Sequence, residues 1–158
     1  MLVHTQGKVV RMESHGMDSD VGTEVILTSA AEVVPLLDRV ETAMIELGYP
    51  SRTCWELRLV LEEAIVNGLK HGNRGDASKQ VRVRYLVRSE GVFADVEDEG
   101  PGFDPSAVAD PTDPENLERP CGRGLLLMRH YATWMRYHGR GNRLSLCKCR
   151  PVATDVAI

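Results

Sequence analysis

No apolar run in the chain is long enough to cross a bilayer, which takes about 20 residues. The first eight residues, Met1-Leu2-Val3-His4-Thr5-Gln6-Gly7-Lys8, lack the apolar core of a secretory leader, so the expected location is cytoplasmic. Positive charge is not in excess. The 19 Lys and Arg stand against 23 Asp and Glu, giving a net charge of −4 and a pI near 5.7. That balance argues against a general nucleic-acid or membrane-surface binder. The four cysteines, Cys54, Cys121, Cys147 and Cys149, form neither a CxxC pair nor a zinc spacing. Cys147 and Cys149 would share one face of a strand, too constrained to bridge easily, and all four are expected as reduced thiols. Neither GxxxxGKS nor GxxxxGKT occurs, which excludes a P-loop. No internal repeat or low-complexity block is present.

What remains is a chain of 158 residues, 42% hydrophobic and 27% charged, the size and composition of one globular domain with a substantial core. Residues 1–22 read as a loose arm with a short strand at Lys8–Met12, residues 23–150 as the domain, and residues 151–158 as a tail. Glu24–Thr28 is a compact apolar run and a first strand. Ser29 can cap a helix carrying Val33, Val34, Leu36, Leu37, Val40, Met44, Ile45 and Leu47, ended by Gly48 and Pro50. Pro35 predicts a bend there or a later start.

The stretch Glu56–Asn73 is the most informative. Leu57, Val60, Leu61, Ala64, Ile65 and Gly68 recur at helical spacing and form one apolar stripe. Glu63, Asn67 and His71 are four apart and stack along its edge, whereas Glu62 points roughly 100° away. Ser51 is read as the cap and Gly72 as the end. Glu and Asn at this spacing are also common on solvated helix faces, so the pair gains meaning only from the rest of the chain.

After the turn Asn73–Asp76, Val81, Val83, Tyr85 and Val87 alternate with arginines, which predicts a strand with one buried face. Beyond Ser89-Glu90-Gly91, the apolar positions Val92, Ala94 and Val96 place Asp98 on the face that looks toward the helices. A carboxylate arriving there needs a partner. Five of the eight prolines, Pro101, Pro105, Pro111, Pro114 and Pro120, then fall in one acidic segment that runs to Cys121. A connection this long inside a domain is usually functional. Gly122-Arg123-Gly124 opens a helix through Leu125–Tyr131, and Thr133–His138 with Arg143–Arg150 reads as a closing hairpin.

Each of these segments has a meaning for a nucleotide. Ionised Asp98 only accepts hydrogen bonds and can take the amino group of adenine. Gly100 and Gly102 allow close backbone approach to a flat ring. Gly122 and Gly124 leave N–H groups free at a helix start, a phosphate cradle. Asn67 offers a neutral oxygen to Mg²⁺, which favours few protein ligands alongside phosphate oxygens. The proline-rich segment would be a lid over the phosphates. Singly these motifs are weak; their order makes coincidence improbable.

That order resembles the GHKL ATPase superfamily, with Glu63–Asn67 matching its N box, Asp98–Gly102 its G1 box and Gly122–Gly124 its G2 box. Within it, the chain is similar to the bacterial anti-sigma-factor serine/threonine kinases, through Leu61–Asn67, His71-Gly72 and Leu117-Glu118-Arg119. The likeness spans roughly Thr23 to Arg150. It implies an α+β, Bergerat-type two-layer α/β sandwich: a mixed, mostly antiparallel sheet with helices on one face and ATP held between the layers. It implies Glu63 as general base toward a protein hydroxyl, Asn67 as the Mg²⁺ ligand, Asp98 as the adenine reader, and Gly100 and Gly102 as its pocket. Arg119, Gly122, Arg123 and Gly124 would lie near the phosphates. It further implies a sequestered sigma factor, a phosphorylated anti-anti-sigma protein and a homodimer, with no contact to nucleic acid or membrane. Cys121 and Arg123 make the lid end bulkier and more basic than the Ser-Gly-x-Gly of that pattern. The alternative is an ATP-responsive anti-sigma binding module without phosphoryl transfer, for which a base at Glu63 is unnecessary. A sensor histidine kinase domain is disfavoured, since little chain precedes the domain to carry a phospho-accepting histidine.

Overall fold

The computed structural model of the chain describes residues 2–5, 8–11, 22–107 and 123–152. Two short strands, β1 (Leu2–Thr5) and β2 (Lys8–Arg11), pair with each other as an antiparallel hairpin. Only the second was expected; the β1 residues were read as part of the loose arm.

The domain proper begins with β3 (Thr23–Leu27), followed by a 3₁₀ turn and α1 (Val33–Glu46). The Glu32 carboxylate accepts hydrogen bonds from the Thr28 and Ser29 N–H groups, both at 2.8 Å, which holds the entry to α1. The helix therefore starts late, and Pro35 falls in its first turn, where a missing N–H costs nothing. Next comes α2 (Ser51–Asn67), whose first residue is Ser51 and whose cap is Pro50, not Ser51 as expected. The helix does not run unbroken to Gly72. Its last five residues, Gly68–Gly72, form a π-helical turn.

Strands β4 (Val81–Val87) and β5 (Gly91–Asp98), helix α3 (Arg123–Tyr131) and strands β6 (Trp134–His138) and β7 (Arg143–Cys149) complete the domain. The sheet order is β3-β4-β5-β7-β6. The expected α+β sandwich is present, and all four ladders of this five-stranded sheet are antiparallel where a mixed sheet was allowed for.

The core lies between this sheet and the helices. The α2 stripe, Leu57, Val60, Leu61, Ala64 and Ile65, is buried against Val81 and Val83 of β4, Val96 of β5 and Leu144 and Leu146 of β7. Each large side chain in that stripe contributes about 1.5–3 kcal/mol by leaving water. A polar clip joins the layers: Lys148 Nζ lies 2.6 Å from Glu56 of α2 and donates to the Tyr131 carbonyl at 2.7 Å. The other sheet face holds a carboxylate at its centre. Asp95 is only 4% exposed, because Arg143 Nη2 donates to it at 2.8 Å and the Ser145 hydroxyl also donates.

Candidate functional site

Alpha-helical spacing puts Glu63 and Asn67 on one edge of α2, and the strand pleat puts Asp98 at the end of β5 on the helix-facing side. Between them lies a cavity of about 620 Å³, lined by Glu63, Asn67, His71, Asp98 and Gly102 among others. That volume suits a nucleotide-sized ligand. The three polar residues singled out in the sequence from two distant segments thus share one space. His71 joins them because the π-helical turn carries it there. Single π-helical turns of this sort concentrate at functional sites.

Asp98 is held tightly. Its N–H donates to the Asn142 carbonyl at 2.9 Å, and Asn142 Nδ2 donates back to its carbonyl at 2.8 Å. One carboxylate oxygen accepts the Gly100 N–H at 2.8 Å, and the other receives no hydrogen bond from the described residues. Burial pushes its carboxyl above the ordinary value, with the Gly100 N–H and the Arg140 charge opposing. An acceptor oxygen without a donor, on a half-buried carboxylate lining a cavity, fits a ligand that brings N–H.

The glycines make this approach possible. A methyl group at Gly72 would collide with the Asp98 carboxylate, and one at Gly100 with the Gly72 carbonyl. Gly102, at φ +81°, has the Arg140 carbonyl where its side chain would be. So glycine is required at 72, 100 and 102 by neighbouring protein atoms, beyond any need of a flat ring. Gly102 lines the cavity; Gly100 supports it from behind.

At the opposite side, Gly124 is the second residue of α3, and a methyl group there would collide with a Glu63 carboxylate oxygen and sit 3.7 Å from Asn67 Nδ2. The start of α3, Glu63 and Asn67 therefore form one contiguous surface. Arg123 is the first, exposed residue of α3. Arg119 and Gly122, with the Leu117–Arg119 segment and Cys121, lie outside the described residues. Among the described residues, no group of three or more His, Cys, Asp and Glu could hold a metal ion, and no helix is long and apolar enough to cross a membrane.

Phe103, Tyr137, Asn142 and Leu144 also line the cavity and were not expected there from residue patterns. The Phe103 and Tyr137 rings meet edge-on, centroids 4.9 Å apart. Tyr137 faces Leu144 across the β6–β7 ladder. Alternation along β6 could have placed Tyr137 on the helix-facing side, but only the strand order brings it beside Asp98.

Set against known proteins, residues 26–148 match the sequence model of the histidine kinase-like ATPase domain. The match runs from β3 to β7 and includes every residue expected to act. No curated protein matches the chain.

Proposed function

This chain belongs to the histidine kinase-like ATPase domain family, an ATP-binding family, and on that premise we propose that it works as a serine/threonine protein kinase. One observation carries the reading: a carboxylate and an amide one helical turn apart, Glu63 and Asn67, share a cavity with the donor-free oxygen of Asp98. A pocket that only bound a nucleotide would not need the first of these.

In this reading Asp98 accepts the adenine amino group through its second oxygen, and the Gly72, Gly100 and Gly102 backbone keeps that oxygen in place. Asn67 would offer its side-chain oxygen to Mg²⁺, an ion that favours few protein ligands alongside phosphate oxygens and water. ATP supplies the phosphoryl group when bound, and Mg²⁺ offsets its charge. Glu63 orients a serine or threonine hydroxyl and takes its proton as the oxygen attacks. Gly124, Arg123, Gly122 and Arg119 supply N–H groups and positive charge for the phosphates. The acceptor is an anti-anti-sigma protein, and the same domain sequesters a sigma factor. It acts in the cytoplasm as a homodimer, without contacting nucleic acid or membrane.

The experiment combines the protein with labelled ATP, Mg²⁺ and a co-encoded anti-anti-sigma candidate. Label appears on a partner serine or threonine, and Glu63→Gln abolishes it while nucleotide binding persists. If no partner hydroxyl is labelled, the kinase reading falls and an ATP-responsive binding module takes its place.

A further inference from the structure

Tyr137 lines the cavity together with Asp98, yet its hydroxyl has no hydrogen-bond partner among the described residues. The ring is not free to turn away. It is set by the β6–β7 register opposite Leu144 and by the edge-on contact with Phe103, 80° between planes. Burial foremost, with the Asp98 charge adding and the Arg129 charge opposing, pushes the phenol up to about 12. At neutral pH the group therefore keeps its proton and is a donor.

The pocket thus presents two complementary groups: a carboxylate oxygen that only accepts, and a phenol with a proton to give. Adenine has the matching pattern, an amino group flanked by the acceptor nitrogens N1 and N7. The Watson–Crick edge of guanine has the reverse, an oxygen beside an N–H. Resting on the ATP reading above, we propose that Tyr137 is a base-specificity residue whose hydroxyl donates to the adenine ring nitrogen beside the amino group taken by Asp98. Phe103 acts through it as a positioning residue, since its ring fixes the tyrosine plane.

Tyr137→Phe removes the hydroxyl and keeps the ring contact. Isothermal titration with ATP, 1-deaza-ATP and 7-deaza-ATP is run on the wild type and on Y137F, and a thermal melt checks the fold. The substitution raises the Kd for ATP by about 3- to 10-fold, the value of one net hydrogen bond. That ratio collapses toward one with the analogue lacking the contacted nitrogen. Equal ATP affinities in the two proteins overturn the proposal, as does a ratio that survives in both analogues. Failure of the wild type to bind ATP at all would overturn the ATP reading itself, a distinct outcome. Should Y137F melt well below the wild type, the ratio of analogue to ATP affinity within Y137F still decides the matter. It is near one at both positions if the hydroxyl made the contact.

Discussion

Replacing Gly124 with alanine sets a folding effect against a functional one. Alanine is better than glycine in a helix interior by about 1 kcal/mol, and by less at the second residue of a helix such as α3. The new methyl group collides with a carboxylate oxygen of Glu63 and comes within 3.3 Å of its carboxyl carbon. That obstacle is the loose end of a long side chain, so an off-rotamer adjustment costing about 0.5–1.5 kcal/mol relieves it. The two terms nearly cancel, and the melting temperature should stay within about 4 °C of the wild type for a domain of this size. Function does not share the cancellation. The carboxylate must retreat by about an ångström, and a misplacement of that order costs about 100-fold in a positioned reaction. The assay follows label from ATP to the partner hydroxyl, with ATP affinity and thermal melting measured in parallel. Undiminished transfer would show that the carboxylate position against Gly124 is not the working one. A drop in melting temperature of 8 °C or more would show that backbone, not the Glu63 side chain, absorbs the methyl group.

Asp98→Asn should raise the Kd for ATP about tenfold or more, because it turns an acceptor-only group toward a donor; an unchanged affinity by titration would sink the adenine assignment. Asp98 also gives opposite pH trends. Its folded value lies above the ordinary 3.8, so its contribution to stability is present below 3.8 and lost as pH rises through the raised value. ATP affinity runs the other way, falling as pH drops through that same value, and D98N should lose both trends in titrations and melts. Glu56 is the contrasting case: the Lys148 and Arg52 contacts outweigh burial and hold its carboxyl below the ordinary 4.5. Its stabilising contribution is therefore present above 4.5 and lost as pH falls through the lowered value. Glu56→Ala strands Lys148, whose side chain is only 14% exposed, and should cost about 2–3 kcal/mol by urea denaturation at neutral pH. A cost under about 0.5 kcal/mol would mean that Lys148 is content with the Tyr131 carbonyl alone.

The parts of the site that were legible beforehand are those that follow from one element's period. Helical spacing alone puts Glu63 and Asn67 beside the buried stripe of α2, and alternation from Val92 puts Asp98 on the covered face of β5. What was not legible depends on contacts between elements. The π-helical turn at Gly68–Gly72 brings Gly72 against Asp98, a fit no local propensity encodes. Tyr137 belongs to the site because β7 and β6 follow β5 in the sheet, an order that residue patterns do not state. Asp95 went unnoticed in the sequence because its burial arises from Arg143 and Ser145, some fifty residues away. Likewise, the strain-free reading of Gly100 and Gly102 as ring-approach residues missed the carbonyls that fill their side-chain space.

The glycine packing beneath Asp98 has a consequence for how this pocket can change. Gly72 meets Asp98, Gly100 meets Gly72, Gly102 meets Arg140 and Gly141 meets Phe103, each through main-chain or carboxylate atoms with no room for a side chain. That floor offers substitution nothing to vary: a replacement there would disturb backbone or the Asp98 carboxylate before it touched a ligand. The walls are different, since Phe103, Tyr137 and His71 all present side chains to the same space. A library randomised across both regions should return variants altered at 71, 103 and 137, with 72, 100, 102 and 141 unchanged. Diversification of ligand preference in this domain is thereby channelled to a few wall positions, while the floor stays constant as a shared mould.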